Sequence, residues 1–160
     1  MHKAGIISLV LVLFLLGCGK EMEFSEYRAL ENGRWLQDKV MEFKSPDLNA
    51  DVAYDFYIQV RNDNRYPYSN LFLITELEYP DGETQRDTLE YQMAESDGSW
   101  LGKGYGSIKE NKLWYKENIN LPVTGVYTIR IEQAMRKNGS VEGISELEGI
   151  TDVGLEIERH

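Results

Sequence analysis

The sequence predicts an all-β protein: a single antiparallel β-sandwich or jelly-roll-like domain that follows an apolar leader. Three observations lead there. About seven short segments carry bulky apolar residues, most at every second position, Gly-, Pro- and Asn-containing turns separate them, and no long stretch repeats apolar residues at helical spacing.

Val52, Tyr54, Phe56, Ile58 and Val60 alternate with Asp55, Gln59 and Arg61, the pattern of a half-buried strand. Leu71 to Tyr79 is a second strand. It ends at Pro80-Asp81-Gly82, where proline presets one turn residue and glycine tolerates positive φ. Thr84 to Met93 returns with Leu89, Tyr91 and Met93 on one face. Val126 to Ala134 alternates again through Tyr127, Ile129 and Ile131, and Asn138-Gly139 is a hairpin-turn signal. Val153, Leu155 and Ile157 share one face of a closing strand, and weaker strands are expected at Lys39 to Phe43 and Lys112 to Asn120. Glu26 to Glu31 has room for only a helical turn or two. No repeat, low-complexity run or linker divides the chain, so one domain is expected over residues 26–160.

The leader is an address. Lys3 precedes the apolar run Ile6 to Leu16, which is too short for a transmembrane helix of roughly 20 apolar residues and suits a signal-peptide core. Leu15-Leu16-Gly17-Cys18 then reads as a bacterial lipobox, with a small residue directly before the cysteine. On this reading residues 1–17 are removed and Cys18 is acylated, and two or three acyl chains anchor stably where one would not. An ordinary secretory signal with a free cysteine, or a buried core segment, are the alternatives. Residues 18–25 are expected to be the acylated cysteine and a short polar tether without a long acidic run, favouring an outer-membrane anchor that faces the periplasm.

Composition excludes several activities. The net charge of −10 argues against nucleic acid, whose binding relies on Lys and Arg to neutralise phosphates. Loss of Lys3 leaves 16 basic against 27 acidic residues, a formal charge of −11, which keeps the surface away from anionic headgroups and leaves membrane attachment to the acyl chains. One cysteine allows no intrachain disulfide, and the two histidines, His2 and His160, stand at the ends of the chain, where neither is expected inside the fold. Ser-His-Asp and Cys-His catalysis and His-rich zinc sites are thereby disfavoured. No cofactor and no metal are expected.

Other motifs have plainer readings. Asp47-Leu48-Asn49-Ala50-Asp51 spaces oxygen ligands as a calcium loop would, but Val52 and Ile58 stand where glycine and glutamate are needed, which makes it a solvated turn. Gly102-Lys103-Gly104-Tyr105-Gly106 has the glycines of a phosphate loop without its Gly-Lys-Ser/Thr ending, so bends or bulges explain it better. Asp87-Thr88-Leu89 matches a short O-glycosylation motif of exported bacterial proteins at Thr88, although threonine also suits a strand. Tyr66, Tyr68, Asn70, Trp100, Tyr105, Trp114 and Tyr115 gather in or beside loops, where aromatic rings serve a protein partner, stack on sugars, or close the ends of the core.

The lipobox, Arg65-Tyr66-Pro67-Tyr68-Ser69-Asn70-Leu71 and Gly98-Ser99-Trp100-Leu101-Gly102-Lys103-Gly104-Tyr105-Gly106, taken together, resemble the gliding-motility lipoprotein H family. Gly125-Val126-Tyr127, Gln133-Ala134-Met135-Arg136 and Asp152-Val153-Gly154-Leu155 extend the resemblance, in order, across nearly the whole mature chain. It implies a lipoprotein of the cell-envelope machinery for gliding and the linked secretion apparatus, acylated at Cys18, with no catalytic residue to carry over and with the 66–71 and 98–106 loops as contact surfaces. Two functions follow as expectations: a non-catalytic interaction protein whose partners are other motility or secretion components, or a sandwich that binds envelope glycans through its loop aromatics. An enzyme without an internal histidine would have to rely on carboxylates, Tyr or Lys.

Overall fold

The computed structural model describes residues 20–160; the expected signal segment, Cys18 and Gly19 lie outside the described residues. Ten strands follow one another: β1 (Met22–Ala29), β2 (Arg34–Leu36), β3 (Met41–Leu48), β4 (Ala53–Asn62), β5 (Asn70–Glu78), β6 (Thr84–Gln92), β7 (Lys109–Asn120), β8 (Gly125–Gln133), β9 (Glu146–Glu148) and β10 (Ile150–Arg159). One sheet has the order β1-β10-β4-β7, a second β3-β8-β5-β6, and β2 and β9 pair as a small third. Neighbouring strands are antiparallel throughout. Among the described residues no helix is long and apolar enough to cross a membrane.

Alternation explains the layering. Phe56, Ile58 and Val60 of β4 and Val153, Leu155 and Ile157 of β10 point one way, toward Phe43, Leu71, Leu73, Ile129 and Ile131 of the second sheet, and all are fully buried. Trp35 of β2 plugs one end of this core and donates its indole N–H to the Lys39 carbonyl at 2.8 Å. β1 lies against β3, where the Arg28 guanidinium covers the Phe43 ring at 5.4 Å. The opposite edge is a seam between β7 and β6. There Tyr91 donates to the Trp114 carbonyl at 2.6 Å, and Tyr115 and Lys116 reach Asp87 at 3.3 and 3.1 Å.

Four expectations change. Met22 already belongs to β1, inside the segment read as a tether, and residues 26–29 continue that strand rather than a helical turn; only Glu31–Gly33 turns as a short 3₁₀ element. The strand MEFSEYRA lacks clean alternation, and its partner β10 lies at the other end of the sequence. β4 is buried on both faces, not one, because Lys20 and His160 close over Asp55 and Glu156 of β10 accepts from Gln59. His160, expected outside the fold, closes on Asp55 and donates its backbone N–H to the Ala53 carbonyl at 2.9 Å. Asn138-Gly139 does turn the chain, with Ser140 N–H on the Lys137 carbonyl at 2.9 Å, but the strand beyond it, β9, pairs with β2.

Candidate functional site

Asp55 organises the end of the first sheet that holds Lys20 and His160. β7 bulges opposite it: Tyr54 pairs with Ile119 and Phe56 with Lys116, leaving Glu117 and Asn118 to bow outward. Asn118 adopts φ +49°, a conformation that Asn tolerates better than most residues, and its N–H reaches the Asp55 carboxylate at 2.7 Å. The same fully buried carboxylate pairs with Lys20 and meets the His160 ring at 3.1 Å. Burial alone would raise the Asp55 pKa, but the hydrogen bonds from Lys20, Asn118 and His160 outweigh it and hold the group below the usual carboxylate range. The hydrogen bond to Asp55 in turn raises Lys20.

A second charged layer covers the outer face of β4. Glu156, buried, accepts from Gln59 at 2.8 Å and from Lys112 at 2.5 Å, and Lys112 also reaches Glu158 at 2.6 Å. Burial pulls the Lys112 ammonium down, yet these two carboxylates leave it above the ordinary lysine value. Its Nζ lies 4.0 Å over the Tyr57 ring, which packs against Trp114 at 4.4 Å. Beside it, Arg61 stacks on Tyr27 at 4.1 Å and reaches Glu110 at 3.2 Å, and the Tyr27 hydroxyl also donates to Glu110. A cleft of about 500 Å³ opens over Tyr27, Gln59, Glu110, Lys112 and Glu156, with Leu101 at its rim. Across it the side chains of Tyr27 and Glu110, and of Gln59, Lys112 and Glu156, hold one another.

The predicted loop residues divide. Tyr66 is core: it is buried, donates to the Asn70 carbonyl at 2.6 Å, and sits so close to Gly149 that a Cβ there would fall 2.1 Å from the Tyr66 nitrogen. Tyr68 and Trp100 are half-buried against it, at 5.7 and 6.2 Å between ring centroids, and Trp100 donates to Asn64 at 3.3 Å. Asn70 opens β5 and holds Glu90 at 2.9 Å. Tyr115 is buried in the seam, whereas Tyr105 is fully exposed in the glycine loop and Trp114 is 47% exposed beside Lys20. The structure thus joins Tyr66, Tyr68 and Trp100 in one cluster and keeps Trp114 apart. Thr88 faces solvent in mid-β6, while Asp87 turns toward β7. Asn49 and Asp51 form a self-bonded turn, and among the described residues no three His, Cys, Asp or Glu side chains converge to hold a metal ion.

Sequence reasoning missed Lys20, Asp55, Gln59, Glu156 and His160. Their partners lie 35, 97 and 105 residues away, so no local pattern marks them. Only the nearness of Lys20 to Cys18 was visible.

A two-sheet antiparallel sandwich with a densely paired outer face defines the class, a β-rich domain. A family model described as GldH lipoprotein matches residues 22–157, and the chain belongs to that family. It is 47% identical over 148 residues to the gliding motility lipoprotein GldH homolog of Christiangramia forsetii, covering 92% of this chain and 90% of the relative. It is 44% identical over 159 residues to the gliding motility lipoprotein GldH of Flavobacterium johnsoniae, covering 99% and 98%. Among solved structures, the VP2 subviral particle of infectious bursal disease virus aligns over 88% of this chain and 31% of its own, with 14% identity and a TM-score of 0.37. A likeness that slight bears on neither mechanism nor partner.

Proposed function

We propose that this chain is a non-catalytic lipoprotein that acts by protein–protein contact in the gliding-motility machinery and its linked secretion apparatus. Acyl chains on Cys18 hold it to the outer membrane, facing the periplasm. The observation that carries the reading is its identity of 44–47% to relatives named for gliding motility, across nearly their full length. The mutual pairing of the charged groups over the cleft gives a braced, charged surface of the kind a protein partner can meet. Crosslinking of the intact lipoprotein in native membranes tests it: other motility or secretion components should be recovered, and recovery of glycan alone would overturn the reading.

Glycan binding is the second reading, favoured by the half-buried Tyr68 and Trp100 rings beside the distal loops. It requires that tryptophan fluorescence of the soluble domain respond to envelope polysaccharide and that Trp100→Ala remove the response.

A further inference from the structure

We infer that the outer face of the first sheet around Trp114 lies directly on the bilayer that holds the acyl chains, so that the domain has a fixed orientation instead of hanging on a flexible leash. The inference rests on the anchoring at Cys18 proposed above. Lys20 is the first described residue and is pinned to buried Asp55. One position further, the Glu21 carbonyl accepts from the Arg159 backbone N–H at 2.8 Å, and its carboxylate meets the Arg159 guanidinium at 3.0 Å. From Cys18 to Lys20 the chain takes two steps, at most about 7 Å when fully extended. A headgroup layer is itself roughly 5–7 Å deep. With Cys18 at the level of its acyl chains, Lys20 and its neighbours can reach no further than the membrane–water interface.

What surrounds Lys20 suits that position. Its ammonium lies 5.7 Å from the Trp114 ring centroid, and Trp114 is half exposed, an amphipathic side chain of the kind enriched at bilayer interfaces. Met22 is 57% exposed two residues along. Four cations offset part of the acidity nearby: Lys20 meets Asp55, Lys112 is shared by Glu156 and Glu158, Lys116 meets Asp87 and Arg159 is shared by Glu21 and Glu23, while Glu117 in the bulge has no partner among the described ion pairs. This pairing lessens, without cancelling, the repulsion that the formal charge of −11 implies for the mature chain. Asp51, Asp81 and Glu83, in the loops at the tip of the same end, have no such partners among the described ion pairs, so an anionic surface turns the domain onto its Trp114 face rather than upright on its tip. β4 then carries the chain from Asp55 to Asn62, roughly 23 Å, toward the end that holds Tyr66, Tyr68, Trp100 and Tyr105.

The test uses the full lipidated chain in phosphatidylethanolamine–phosphatidylglycerol vesicles containing a phosphatidylcholine brominated high on its acyl chains. Bromolipid should quench part of the tryptophan fluorescence, Trp114→Phe should abolish that part, and Trp100→Phe should leave it. A Gly-Ser insertion between Gly19 and Lys20 should keep the protein on the vesicles yet lose the quenching. Vesicle-bound protein whose quenching is absent, or is unchanged by Trp114→Phe, overturns the orientation alone. Acylated protein that fails to sediment with vesicles overturns the anchoring itself, and the orientation with it.

Discussion

Lys20 and Asp55 stand 35 residues apart, and their ion pair fastens the start of the described chain to the centre of the first sheet. The two partners are unequal: the Asp55 carboxylate is fully buried, whereas the Lys20 side chain remains 42% exposed. The carboxylate also satisfies the bulge of β7 through Asn118, so its loss should reach further than the loss of the lysine. Asp55→Ala is expected to destabilise the domain by about 2 kcal/mol, the scale of hydrogen bonds to a charged acceptor, and Lys20→Ala by clearly less. Urea midpoints of the two variants give the comparison. Equal losses would show that Asp55 does no more than hold Lys20.

The same carboxylate sets an acid limit. The folded-state pKa of Asp55 lies below the ordinary aspartate value, so its contribution is complete above that value and disappears as pH falls through the lower folded one. Glu110 and Glu158 are also depressed, Glu110 chiefly by its hydrogen bond from Tyr27 and Glu158 by Lys112 against the cost of burial. Stability should therefore hold steady through neutral pH and fall steeply below about pH 4. Asp55→Asn should flatten part of that fall in thermal unfolding scans between pH 2 and 6. An identical slope in the variant would remove Asp55 from the explanation.

Gly149 and Gly139 separate strain from collision. Both have positive φ, +86° and +79°, but a Cβ on Gly149 meets the Tyr66 backbone, whereas nothing lies within 4 Å of one on Gly139. Gly139→Ala should cost about 1 kcal/mol, the left-handed penalty alone, and Gly149→Ala at least about 3 kcal/mol, because the Arg65–Tyr66 backbone must move as well. Denaturant midpoints for the pair decide it.

The seam between β6 and β7 has its own test. The Tyr91 hydroxyl holds the Trp114 carbonyl, and burial pushes its pKa up to about 12. A raised phenol stabilises the fold below its unfolded value near 10, and this contribution is lost as pH rises through about 12. Tyr91→Phe should cost about 1 kcal/mol at neutral pH. It should also speed hydrogen exchange along β7 more than along β10, since only β7 loses a tie to the second sheet.

Strands whose burial is one-sided were legible in the sequence. β5 and β8 alternate strictly between the core and a less buried face, and their apolar periodicity marks them directly. β1 escaped because its apolar residues do not alternate and what orders it is pairing with β10. β2 and β9, three residues each, are too short to show any period. The charged end was invisible for a different reason: the alternation of β4 correctly placed Asp55 and Gln59 on the outer face, but whether that face meets water depends on side chains contributed by β7, β10 and the first and last described residues.

The loop aromatics provide the test closest to function. Tyr66 and Tyr105 occupy neighbouring family-like loops at the same end of the sandwich, yet one is core and the other lies entirely in solvent. Tyr66→Ala should lose about 3 kcal/mol or more, since it removes a buried ring, its hydrogen bond to Asn70 and the support under Tyr68 and Trp100. Tyr105→Ala should leave stability within about 0.5 kcal/mol, because its ring contributes no packing to the fold. If the distal loops receive a protein partner, only Tyr105→Ala can weaken crosslinking in native membranes while the domain remains folded and bound to the membrane. Undiminished crosslinking would remove the glycine loop from the contact surface and leave the half-buried rings of Tyr68 and Trp100 as the next positions to substitute.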